Sequence, residues 1–247
     1  MMQATRYKLY MNPRTQEILK AVIRDFIETG EPVSSKKICR KCDFGVKDAT
    51  IRNELNYLVQ EEYLGQPHTS SGRVPTDKGY KFIVQTIIDD ESDDMRIADK
   101  ILAALKQEFS ERDFGDFVED LSDELELLGI GYAAAHRRVY KSGLDELFGH
   151  LISDYWPYNH DDLFEIVRDF EMIDRRVDDL LNFISEGEAP KVFIGRSPIT
   201  KSSQLSVIAD RYELDGQPFI LAAVGPKRMD YDKNLRFFKQ LREVIGN

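Results

Sequence analysis

With 247 residues, 42% of them hydrophobic and 32% charged, the chain has enough material for one large core or two ordinary ones, and no apolar run nears the ~20 residues that cross a bilayer. Neither a secretory leader nor a disulfide framework is expected, the cysteines being Cys39 and Cys42, so the expected location is cytoplasmic with no membrane partner. The net charge of −10 argues against a polyanion only when averaged, because residues 1–88 carry +4, residues 89–190 carry −18 and residues 191–247 carry +4; separate modules with different partners are expected.

Asn12-Pro13 is a helix entry, and Ile18, Leu19, Val22, Ile23, Phe26 and Ile27 recur behind it at helical spacing until Gly30. Ser34 or Ser35 caps a short second helix that buries Ile38. After the turn Asp43-Phe44-Gly45-Val46, a third helix runs from Lys47 to Leu64 with Ile51, Leu55, Leu58 and Val59 on its apolar stripe. Its opposite face presents Thr50, Arg52, Asn53 and Asn56. Three short helices at this spacing suit a helix-turn-helix, and Asn and Arg on a major-groove helix bind adenine and guanine in bidentate fashion. Lys47 and Thr50 at the helix start are candidate phosphate contacts, and Ser35 and Lys36 on the second helix are further candidate DNA contacts.

Tyr63 to Thr69 then reads as a strand, Ser70 to Arg73 as a tight turn, and Val74 onward as a return strand running into Thr76-Asp77, the cap of another helix. A hairpin directly after a recognition helix is a wing. Its expected tip, Ser70, Ser71, Gly72 and Arg73, preceded by His68 and Thr69, would lie along the backbone or place arginine in the minor groove.

Residues 89–96 form an acidic linker candidate without EF-hand spacing. Residues 96–129 read as one or two amphipathic helices through Ile97, Ile101, Leu105, Phe109, Phe117, Leu121, Leu125 and Leu128. Residues 161–185 read as a further acidic helix with Leu163, Ile166, Val167, Phe170, Ile173, Val177, Leu180 and Leu181 inward, either a dimer seam or a helix packed on a sheet. From Lys191 the period changes to that of three strands. Asp215-Gly216 joins the last two, and a final helix carries Leu235, Phe238, Leu241 and Ile245.

Catalysis finds little support, a redox switch at the Cys39-Cys42 pair being the minor alternative. His68, His136, His150 and His160 lie in unrelated contexts, Cys39 and Cys42 form a single pair, and neither a phosphate-binding glycine loop nor a nucleophile elbow is present. The chain is expected to be no enzyme and to hold no metal or cofactor.

The segments QEILKAVIRDFIETGEPVSSKKI, ATIRNEL and YLGQPHTSSGRVPTDKGYKF, with KVFIGRSPI and VGPKRMDYDKNLRFFKQL near the other end, resemble the bacterial heat-inducible transcription repressors of the HrcA family. The resemblance implies an α+β chain, with an N-terminal winged helix-turn-helix domain followed by a helical segment and a GAF-like antiparallel sheet with flanking helices. On that reading residues 1–88 are the DNA-binding domain, 89–95 an acidic linker and 96–247 an abbreviated effector and dimerisation domain. It also implies a homodimer on an inverted-repeat, double-stranded DNA operator of chaperone operons, aided by the GroE-type chaperonin. Two features depart from the family pattern. Lys47-Asp48 replaces the usual Ser-Pro at the start of the recognition helix, leaving Asp48 as a candidate cap, and the segment between residues 90 and 190 is short. The alternative reading is a winged-helix protein-interaction module that has lost specific DNA binding.

Overall fold

The computed structural model describes residues 11–67, 72–90, 98–153, 160–185 and 187–245, apart from the side chains of residues 152, 153 and 160. His68, Thr69, Ser70 and Ser71 of the expected wing, residues 91–95 of the expected linker and Ile97 lie outside that set. The chain divides into two compact units, Met1–Asp89 and Asp90–Asn247.

In the first unit, α1 (Pro13–Thr29) begins where the Asn12 side chain accepts from the Thr15 amide at 2.9 Å, and it ends at Gly30 with φ of 69°. Ile18, Leu19, Val22, Ile23 and Phe26 are buried along one side. Ser34 rather than Ser35 caps α2 (Ser35–Lys41), accepting from the Lys37 amide at 3.2 Å. The third helix, α3 (Asp48–Gln60), buries Ile51, Leu55 and Leu58. It stops four residues before the expected Leu64. Glu62 turns the chain at φ of 59°, and Tyr63 and Leu64 then enter the core.

Two short strands follow, β1 (Leu64–Gly65) and β2 (Val74–Pro75), paired antiparallel with Leu64 opposite Pro75 and Gly65 opposite Val74. Arg73 extends the ribbon by exchanging two backbone hydrogen bonds of 2.8 Å with Val33, from the segment between α1 and α2. Thr76 caps α4 (Asp77–Ile88), accepting from the Gly79 amide at 3.2 Å. The glycine has a steric reason: a Cβ at position 79 would lie 2.4 Å from the Tyr63 carbonyl oxygen.

The second unit opens with α5 (Asp99–Glu111) and α6 (Phe114–Leu125). Leu128, expected on a helical stripe, instead begins β3 (Leu128–Ala133), whose six residues are all buried. A 3₁₀ turn (Ala134–His136) leads to β4 (Arg138–Ser142), then to α7 (Leu144–Ser153) and α8 (His160–Arg176). The expected helix over 161–185 changes at Val177 into a 3₁₀ segment (Val177–Asn182). Strands β5 (Lys191–Ile194), β6 (Leu205–Leu214) and β7 (Gln217–Pro226) precede α9 (Tyr231–Ile245).

The sheet has five strands in the order β4-β3-β7-β6-β5, all antiparallel, where three were expected. The two missed strands come from Leu128–Ser142, where β3 is buried throughout and so lacks the alternation that marks a half-buried strand. The β6–β7 hairpin turns through Asp215 and Gly216, at φ of 52° and 71°, with Leu214 opposite Gln217 as the dipeptide predicted.

Period-two alternation separates two apolar layers. Ile220, Ala222 and Val224 of β7 with Leu205, Val207 and Ala209 of β6 pack against Leu147 and Leu151 of α7, Ile166 and Ile173 of α8 and Val177 and Leu180 beyond it. On the other parity, Phe219 meets Phe109 of α5 and Phe114 of α6, with ring centroids 5.3 and 4.7 Å apart. Val167, expected inward, is exposed, and so is Phe164.

Candidate nucleic-acid interface

The orientation of α3 is fixed from its buried side. Glu54, on the second turn beside the buried stripe, accepts from the Thr15 hydroxyl and from the Arg14 guanidinium at 2.7 Å, both on α1. Burial works against ionisation of Glu54, but these two donors outweigh it and hold the carboxyl below its ordinary range. A second anchor sits beneath α2, where the buried Asp25 carboxylate of α1 meets Lys37 at 2.7 Å and Lys41 at 3.1 Å. Lys41 also pairs with Glu28. These two lysines therefore serve packing between helices, although by charge alone they counted toward the basic character of the unit.

With Ile51, Leu55 and Leu58 turned inward, α3 exposes Arg52, Asn53 and Asn56 together on its free side, Lys47 is exposed at its N-cap, and Thr50 is half-buried. Lys36 is exposed on α2, beside a half-buried Ser35. The start of α3 differs from expectation. Lys47 occupies the N-cap without a side-chain cap, and Asp48 is the first helical residue rather than the cap. Its carboxylate accepts from Arg52 at 2.8 Å, one turn on.

Arg73 was expected at a free cationic tip. The structure places it at the base of the ribbon, held to Val33 through its backbone, with its guanidinium donating to Asn56 Oδ1 of α3 at 2.8 Å. Partial burial lowers its pKa from the ordinary guanidinium value. The neighbouring Gly72 answers a close approach rather than a need for flexibility, since a Cβ there would lie 2.6 Å from Val33 backbone atoms. The ribbon is thus tied both to the α1–α2 segment and to the exposed side of α3. Sequence reasoning missed the Asp48–Arg52 and Arg73–Asn56 pairs as pairs. The first was legible in the i,i+4 spacing of an acid and an arginine; the second spans a turn and 17 residues and has no local signal.

Among the described residues no group of three His, Cys, Asp or Glu side chains is placed to hold a metal ion. Cys39 and Cys42 are both free and half-buried. No described helix is long and apolar enough to cross a membrane.

These features define the class: a mixed α+β chain in which a small helical unit sets a cationic and amide-bearing helix beside a short ribbon, followed by an antiparallel sheet unit with helices on both faces. A family model for the HrcA protein C terminal domain matches residues 82–235, and the chain belongs to the HrcA family. It is 39% identical over 104 residues to the heat-inducible transcription repressor HrcA of Desulfitobacterium hafniense, a match covering 42% of this chain and 29% of the relative. It is 50% identical over 76 residues to the protein of the same name from Rhodococcus jostii, covering 31% and 22%. The matched segments therefore span less than a third of these relatives' own length. A crystal structure at 2.2 Å resolution, described as that of a hypothetical protein, shares the fold with a TM-score of 0.73 at 18% identity, over 96% of this chain and 99% of the other.

Proposed function

We propose that Met1–Asp89 is a winged-helix DNA-binding domain and that the chain acts as a repressor of heat-shock operons, binding an inverted-repeat operator as a homodimer in the cytoplasm. The observation that carries this reading is the free side of α3. Arg52, Asn53 and Asn56 are exposed there together, with Lys47 exposed at the helix start, and the adjacent ribbon is fixed to the same helix by Arg73. An exposed helix carrying Arg and Asn has the donors and acceptors that read guanine and adenine in a major groove. Thr50, Ser35 and Lys36 are assigned to phosphates, as are His68, Thr69, Ser70 and Ser71 of the wing. The curated relatives in Desulfitobacterium hafniense and Rhodococcus jostii carry the repressor name, which supports the same role here. Residues 90–247 take the part of effector and dimerisation domain, with the GroE-type chaperonin as the proposed partner that maintains the binding-competent form.

The deciding experiment is a gel shift with an inverted-repeat duplex against scrambled competitor. Arg52→Ala and Asn53→Ala are each expected to cost about 1–3 kcal/mol of operator binding and to relax base preference. Arg73→Ala, which removes a cation and the strut to Asn56, is expected to weaken every duplex and flatten the salt dependence. Indifference to all three would favour the alternative, an interaction module without specific DNA binding. The internal pairing of Arg52 and Arg73 within the unit is the observation on that alternative's side.

A further inference from the structure

We propose that Asp48 is a positioning residue that makes Arg52 a reader of guanine rather than a clamp on phosphate. The inference rests on the operator-binding function above and adds to it the origin of its selectivity. Three observations carry it.

First, Asp48 Oδ2 accepts from Arg52 Nη2 at 2.8 Å, on a helix side where Arg52 remains 58% exposed. The pair lies on the surface assigned to DNA and leaves most of the guanidinium open. Second, the helix start has the favourable field of an acid in its first turn but no side-chain cap. Asp48 spends its hydrogen-bonding oxygen on Arg52. Third, Asp48 Oδ1 is buried without a hydrogen-bond partner. Leaving a buried carboxylate oxygen unmet is a cost, and an exposed i,i+4 ion pair adds little to stability in return. With one oxygen unmet and the other on an exposed arginine of the reading surface, the half-exposed Asp48 side chain is placed to orient Arg52.

The physical effect is a competition. Phosphates lie along every duplex, and an unrestrained arginine binds them without regard to sequence. A phosphate that takes the open donors of Arg52 brings its full negative charge beside the Asp48 carboxylate, a like-charge repulsion that the neutral base edge of guanine does not meet. Guanine instead offers O6 and N7 as two acceptors for the N–H groups that Asp48 leaves unused, so the pair persists on binding. Asp48 also holds the guanidinium in one orientation before contact, which reduces the side-chain freedom lost on docking. Non-specific binding is penalised more than binding to guanine at the matching position.

The test uses the full chain with duplexes selected by it from a randomised library, and random duplex of equal length as reference. For Asp48→Ala we expect tighter binding to random duplex, a salt dependence steeper by roughly one phosphate contact and an operator-to-random ratio lowered roughly tenfold. Selection repeated with this variant is expected to lose its guanine preference at one position per half-site. Asp48→Asn keeps an oxygen acceptor for Arg52, so its ratio is expected to lie between those of wild type and the alanine variant. A role confined to helix stability would shift the melting temperature and leave the salt slope and the selected base unchanged. Equal tightening of operator and random duplex by Asp48→Ala would overturn the proposal, showing that a negative charge had merely been removed. In that case selection by the wild type, lost in Arg52→Ala, would still uphold operator binding. Failure of the wild type to select any sequence would overturn both.

Discussion

Met1–Asp89 and Asp90–Asn247 handle polar side chains in opposite ways. In the sheet unit, buried acids are bound into the frame. Asp169 of α8 accepts from the backbone amides of Lys201 and Ser202 at 2.7 Å each and from Arg176 at 2.7 Å, and Asp210 of β6 pairs with Arg242 of α9. In the helical unit the buried Asp25 is met by two lysines reaching in from half-exposed positions, and the polar face of α3 turns outward. The cores differ as well. Two apolar layers sandwich a five-stranded sheet in one, whereas the other rests on one side of three helices, a two-residue ribbon and a fourth helix. A large interior lets the sheet unit draw its stability from buried area. The small one depends more on local fits, such as caps and close backbone contacts, and keeps its outer side chains available for a partner.

The largest expected effect tests the claim about buried area. Phe219 is fully buried against Phe109 and Phe114, and Phe219→Ala is expected to destabilise the sheet unit by about 3–5 kcal/mol. Hydrogen exchange read peptide by peptide should show the loss across residues 98–245 and no change in α1 to α4. A matching loss in α1 to α4 would mean that the units unfold together, and the contrast drawn above would fail. The next effect tests the claim about local fit. A Cβ at position 79 meets a backbone carbonyl at 2.4 Å, which cannot move aside as a side chain would. Gly79→Ala is therefore expected to cost about 1–3 kcal/mol, confined to the helical unit, even though alanine favours helix more than glycine does.

The same contrast explains which features were legible in sequence. The helical unit announces itself through local rules: Asn12-Pro13, Ser34 and Thr76 are caps, Gly30 ends a helix, and the apolar stripe of α3 follows from period alone. In the sheet unit the Asp215-Gly216 hairpin was equally local. Strand β3 was not, because a strand flanked by neighbours and covered on both faces loses its alternating pattern and its leucine continues the helical spacing before it. Within the candidate interface, the identity of the exposed residues on α3 was readable from spacing. Their pairing was only half readable. Asp48 and Arg52 are one turn apart, but Arg73 reaches Asn56 only because Gly72 lets the ribbon lie against Val33, a tertiary contact with no sequence period.

The smallest expected effect, a pH response, distinguishes the two units by sign and by range. Glu108 of α5 is raised to about 7, first by burial and then by Asp120, with Asp116 and Asp113 adding to it. Its folded pKa lies above its unfolded one, so the sheet unit holds more protons when folded and loses stability as pH rises from about 4.5 through 7. Glu54 is shifted downward, so its contribution to the helical unit is complete above the unfolded value of 4.5 and is lost only as pH falls below that. Between pH 5 and pH 8 the sheet unit should therefore weaken on the alkaline side, by on the order of 1 kcal/mol once the shift is discounted for solvent screening, while Glu54 contributes no slope to the helical unit there. Glu108→Gln removes the titrating carboxyl and is expected to flatten the sheet unit's profile by raising its stability at pH 8, as followed by urea denaturation at both pH values. An unchanged slope in this variant would place the response elsewhere in the unit. A slope appearing in α1 to α4 over the same range would show that the helical unit carries a titrating contact other than Glu54.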